Sequence, residues 1–101
     1  MIGVKKQTLG ADVIAAIAKA KTDFRLNVSM PVFEGDELLD PHAGHRGAKF
    51  LKAYVGQARS GDPHGDGKRR LILKVQSGQI AEMYFTDDHY RTGSWRRILD
   101  F

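Results

Sequence analysis

The stretch RLILKVQSGQIAEMYFTDDHYRTGSWRRILDF, residues 70–101, decides the fold. It breaks at Gln76–Gln79, around Gly78, and again at the polar run Asp87–Ser94. Between the breaks stand Arg70–Val75, Ile80–Thr86 and Trp95–Phe101, each with the composition of a strand. Consecutive strands joined by short turns make an antiparallel meander.

Upstream, GQARSGDPHGDGK (Gly56–Lys68) reads as a polar loop, and Phe50–Val55 reads as one more strand before it. Pro31–Gly47 is rich in Gly, Asp, Pro and His and is read as a loop. Leu26, Val28 and Met30 alternate with polar residues, which predicts a short strand or extended segment. Before Asp23 the period is helical. Val13, Ile14 and Ile17, with Ala16 and Ala20 beside them, predict an amphipathic helix over Ala11–Thr22. Thr8 is the expected cap, and Lys19 and Lys21 suit the C-terminal end of the helix dipole. The fold class is therefore α+β: an N-terminal helix packed on one face of a C-terminal antiparallel β-sheet, with the other face free to bind.

Residues 1–101 make a single domain, long enough for one core and little else. Apolar residues are 42% and charged residues 28%, ordinary for a globular domain and wrong for a disordered one. No apolar run approaches the roughly 18 residues of a membrane-crossing helix. No signal peptide is visible at the N-terminus. The absence of cysteine removes disulfide scaffolds, thiol nucleophiles, Fe–S sites and zinc fingers. A net charge of +4 leans toward a polyanion partner, although a solvated basic surface gives the same count.

Four histidines are the natural candidates for proton chemistry. His42 and His45 sit three apart with Asp40 nearby, but no helix fixes their geometry, so no metal site is expected. His64 lies in the Gly-rich loop. His89 stands in a turn between two strands, where acid–base residues are commonly held, though turn histidines also serve structure alone. Basic residues bunch at Lys68-Arg69-Arg70 and at Arg91, Arg96 and Arg97, which a hairpin would bring together. Arginines converging near a histidine suit a phosphate, which the guanidinium holds bidentately. Tyr84, Phe85, Tyr90 and Trp95 interleave with these charges and are candidates for base stacking or for the core.

Arg69-Arg70-Leu71-Ile72, followed by Thr86-x-Asp88-His89-Tyr90-x-Thr92, resembles the C-terminal half of the barnase-like microbial guanyl-specific ribonucleases. Val32-Phe33-Glu34-Gly35-Asp36-Glu37 resembles that family's guanine-binding loop, more loosely. The resemblance implies a microbial ribonuclease-like fold and a metal-independent endoribonuclease without a cofactor. The ribose 2′-oxygen attacks the adjacent phosphorus and leaves a 2′,3′-cyclic phosphate. Carried over by position, His89 protonates the leaving 5′-oxygen and Arg70 binds the scissile phosphate. Tyr90 flanks that phosphate, and Glu37 accepts hydrogen bonds from guanine. Phe33, Lys68 and Arg69 complete the substrate contacts.

The family's general base is a glutamate, and the matching register here holds Lys52. Lysine in its ordinary setting is cationic at neutral pH and takes no proton. Three readings stand open. His42 or His45 supplies the base; Lys52 clamps a phosphate, or acts as base if burial and Arg70 change its ionisation; or the domain is a catalytically inactive RNA-binding or protein-interaction module. The resemblance further implies the toxin domain of a larger bacterial protein, secreted or delivered into a target-cell cytoplasm. Its partners would be RNA and an acidic immunity protein, with no membrane, and it would be a monomer.

Overall fold

A computed structural model of the chain describes residues 2–34, 47–56, 67–91 and 93–101. Strand β1 (Ile2–Val4) leads through a 3-10 turn (Lys6–Thr8) into helix α1 (Ala11–Arg25). Strands β2 (Lys49–Tyr54), β3 (Arg70–Gln76), β4 (Gln79–Thr86) and β5 (Trp95–Ile98) follow. The five strands form one sheet in the order β1-β5-β4-β3-β2. The architecture is α+β, as the sequence predicts; β3 to β5 form the expected antiparallel meander, and β2 pairs antiparallel to β3 beside it. The sheet is mixed, however, because β1 runs parallel to β5 at its edge. Three residues are too few to show an alternation, so this strand carries no periodic signal.

Local chemistry explains the helix and the hairpin. Gly10, at φ 98°, occupies the N-cap in place of the expected Thr8, whose hydroxyl instead donates to the Lys5 carbonyl at 2.7 Å. Asp12 Oδ1 accepts the Val13 N–H at 2.9 Å, satisfying one donor of the first turn. The helix runs three residues past the predicted end, to Arg25, with the Lys19–Asp23 pair one turn apart at 2.6 Å. The β3–β4 turn places Ser77 and Gly78 both at positive φ, 54° and 75°. Such a two-residue turn matches the right-handed twist of its strands.

Leu26–Met30 is not a strand. Asn27 has φ 58°, and the Val28 N–H folds back to the Asp23 carbonyl at 2.9 Å. Leu26 and Val28 are exposed, and only Met30 packs on the core. The next three residues are extended: Val32 bridges Leu51, the Phe33 N–H donates to Phe50 O, and the Lys52 N–H donates to Pro31 O. The final strand stops at Ile98, because Asp100 turns away to accept the Lys6 N–H at 2.7 Å.

Alternation splits the sheet into two faces. Val13, Ile17 and Ala20 of α1 bury against Leu51, Leu71, Leu73, Met83, Phe85 and Ile98. Each of the larger side chains, fully buried, contributes about 1.5–3 kcal/mol. The opposite face is not free. Phe33, Phe50, Ile72, Tyr84 and Trp95 form a second core there, with Ala48 and Tyr90 packed against it. The binding surface expected across that face is therefore confined to its end, where β2, β3 and the β4–β5 turn meet.

Candidate active site

Register fixes what gathers at that end. Tyr54, Arg70, Thr86 and Trp95 form one row across β2 to β5. Lys52, Ile72, Tyr84 and Arg97 form the next row. Arg70 is 4% exposed, and its Nη1 donates to the carbonyls of Gly67 at 2.7 Å and Arg69 at 3.0 Å. Its guanidinium lies over the Tyr54 ring, 4.6 Å from the centroid, a cation–π arrangement. The same guanidinium lies close enough to the Tyr90 phenol to favour its ionised form. Arginine carries five donors on one planar group, and Nη1 spends its two on the Gly67 and Arg69 carbonyls.

His89 and Tyr90 sit in a turn wired by Thr86. The fully buried Thr86 Oγ1 accepts the N–H groups of Asp88 at 3.2 Å and Tyr90 at 3.3 Å, and lies 2.7 Å from Ser94 Oγ. Ser94 spends its hydroxyl proton on the Arg91 carbonyl, so Thr86 is the donor in the pair. This network holds His89 at φ 47° and Tyr90 at φ 69°. Left-handed non-glycine residues each store on the order of 1–3 kcal/mol of strain, and they cluster at functional sites. The His89 N–H donates to Lys68 O at 2.8 Å, which ties the turn to the chain entering β3.

Tyr90 packs against Phe33, His89 and Trp95, with ring centroids 4.9, 4.9 and 5.8 Å away. Burial pushes its phenol above the ordinary value, while Arg70 pulls it down and Tyr54 adds a smaller upward push. Raised from 10.0, the phenol keeps its proton across the neutral range and remains a donor.

Of the residues singled out in the sequence, Arg70, His89 and Tyr90 are brought together, with Lys68 at their rim through its carbonyl. Lys52 is half-buried one row away on the same face. Phe33 is 8% exposed, a wall behind Tyr90 and Trp95 rather than an open stacking surface. Arg69 points to the other side of the sheet and pairs with Asp12 of α1. Consecutive strand residues face opposite ways, so the run Lys68-Arg69-Arg70 divides. Arg96 folds back on the Ser94 carbonyl at 3.2 Å. Glu37, His42, His45 and His64 lie outside the described residues. Sequence reasoning passed over Tyr54, although β2 paired in register with β3 places it opposite Arg70.

The Arg69–Asp12 pair makes a prediction of its own. The Arg69 guanidinium holds the Asp12 carboxyl below its ordinary 3.8. A carboxyl depressed in the folded state contributes stability above the unfolded value, and that contribution fades as pH falls through the folded one. Asp12→Asn is therefore expected to unfold at slightly lower urea than the wild type near neutral pH. The gap closes as pH falls below 3.8, and salt narrows it because the pair is exposed. Urea titrations at several pH values check this; a gap that widens in acid would contradict it.

Comparison of the chain with protein-family models, with curated proteins and with solved structures finds no match.

Proposed function

We propose that the chain is a metal-independent endoribonuclease, of the kind its motifs resemble. The observation that carries this reading is the meeting of Arg70, His89 and Tyr90 at one sheet end, on a strained turn held by Thr86. A phosphodiester seated against the Arg70 guanidinium would find its negative charge met where charge grows during transfer. His89 gives a proton to the leaving 5′-oxygen as the 2′-oxygen bonds to phosphorus. Tyr90, protonated, donates beside the phosphate. The products are a 2′,3′-cyclic phosphate and a 5′-hydroxyl.

The 2′-proton needs an acceptor. A cation at position 52 suits a phosphate better than that proton, so the role falls to His42 or His45 in this reading. Glu37 is proposed to read guanine. The role proposed for the whole is the toxin domain of a larger bacterial protein, with an acidic immunity protein docking on its basic site. Lys52 at the family's base position favours the second reading, a ribonuclease-like fold that binds RNA or protein without cutting.

The test is incubation of the protein with mixed cellular RNA in excess EDTA, with the fragment ends mapped. Fragments ending in 2′,3′-cyclic phosphate are expected. Intact RNA in the presence of folded protein would overturn the nuclease reading in favour of the binding module.

A further inference from the structure

Beside the candidate site, between α1 and the outer edge of β2, lies a groove of about 650 Å³. Small-ligand sites run from about 300 to 1,000 Å³ and combine an apolar floor with a few polar groups. Here Ala16 and Ala20 of the helix form one wall and Val28 to Pro31 another, and Lys52 and Tyr54 of β2 form the rim. Two carboxylates also line it, Asp12 and Asp23, but each is already ion-paired, with Arg69 and Lys19. Lys52 has no side-chain hydrogen bond or ion pair among the described residues. The charge left to the groove is therefore positive.

Tyr54 connects the two places. Its ring lies under the Arg70 guanidinium at 4.6 Å, and the same residue lines the groove where the β2 edge passes from one face to the other. Lys52 stands two residues along the strand from Tyr54, roughly 6–7 Å away along the strand axis. A chain of alternating phosphates and bases that leaves Arg70 and crosses the β2 edge thus meets an aromatic ring, then a cation, then an apolar recess. Stacking surfaces beside a positive track are how proteins hold single-stranded nucleic acid without pairing it.

We infer that this groove is a nucleotide subsite for single-stranded RNA, taking the base one nucleotide beyond the one next to the scissile phosphate, with Lys52 on the phosphate between those two nucleotides rather than in proton transfer. The inference rests on RNA being the substrate. It gives the lysine a task its charge suits, and it predicts that the protein grips more of the strand than the bond it cuts.

The test uses the full chain and 2′-O-methyl oligonucleotides of two and four residues, which cannot transphosphorylate. The wild type should bind the longer probe about tenfold more tightly, the worth of roughly one stacked base. Ala15→Trp, at an exposed helix position lining the groove, fills the recess, and Lys52→Ala removes the cation. In each variant the two affinities should converge. Lys52→Ala should also flatten the salt dependence by about 0.7 in the log–log slope, the signature of one phosphate contact on a single strand. A length advantage that persists in both variants, or a wild type that binds neither probe, overturns the subsite. Circular dichroism establishes that Ala15→Trp is folded; if it is not, Lys52→Ala carries the test alone. RNA cleavage in EDTA is scored separately. Intact RNA together with this binding pattern would retire the nuclease reading and leave the subsite standing.

Discussion

His89→Ala is expected to slow RNA cleavage by about 10²–10⁴-fold, the range for loss of one positioned acid or base. RNA affinity should hardly change, because the proposed mechanism seats the phosphate on Arg70 and not on the imidazole. The backbone complicates a simple alanine variant. His89 has φ 47°, a region that histidine tolerates better than alanine does, and glycine best of all. His89→Gly is therefore the informative companion: it removes the same imidazole while relaxing the turn. If both variants lose the same factor in kcat, the side chain carries the chemistry. A glycine variant that cuts RNA at the wild-type rate would show that alanine acted through the turn alone, and His89 would lose its role. The pH profile adds a readout that structure alone does not move. A general acid must hold its proton, so the wild-type rate falls on the alkaline side, and that limb should vanish in the glycine variant.

The same turn shows how much of the site could be read from the sequence. The motif Thr86-x-Asp88-His89-Tyr90 was visible, and its logic is local: Thr86 binds amides two and four residues on. Strands β3 and β4 were legible because their apolar runs are long and their hairpin turn is marked by Gly78. What failed was non-local. The strand β1 exists only because β5 offers it an edge, and three residues carry no period. Leu26, Val28 and Met30 alternate like a strand, yet Asn27 at φ 58° ends the helix there and no strand among the described residues pairs with them. Phe33 was taken for a substrate contact because its loop resembles a base-binding loop. Its ring instead closes the second core with Trp95, a fact that needs the whole sheet to be seen.

Arg69 and Arg70 make the sharpest case. They are neighbours in sequence, both basic, and both were assigned to substrate. The pleat sends one to Asp12 on the helix side and the other to Tyr54 and Tyr90 on the site side. A period of two was available from the sequence and would have parted them. Patch counting along the chain overstates a charged site on any strand for this reason.

Arg70→Ala should therefore damage both fold and function. Arg70 is 4% exposed, and its guanidinium donates to two carbonyls, of Gly67 and Arg69. Hydrogen bonds from a charged group contribute about 1.5–3 kcal/mol, and acceptors left buried without them add to the loss. A destabilisation of about 2–4 kcal/mol is expected in urea unfolding near neutral pH. Activity measured well below the unfolding midpoint should fall by a further 10²–10³ or so, the usual effect of removing one transition-state donor. Arg70→Lys separates the two. It keeps a cation at the site but loses the planar guanidinium whose Nη1 reaches two carbonyls while it covers the Tyr54 ring. Its stability should lie between those of the wild type and the alanine variant, with the rate still well down. Full rate in the lysine variant would mean that charge alone is used and that the fork is structural. An alanine variant as stable as the wild type would mean that the Gly67 and Arg69 carbonyls do not depend on Arg70, and the strand register that places it in the site would have to be redrawn.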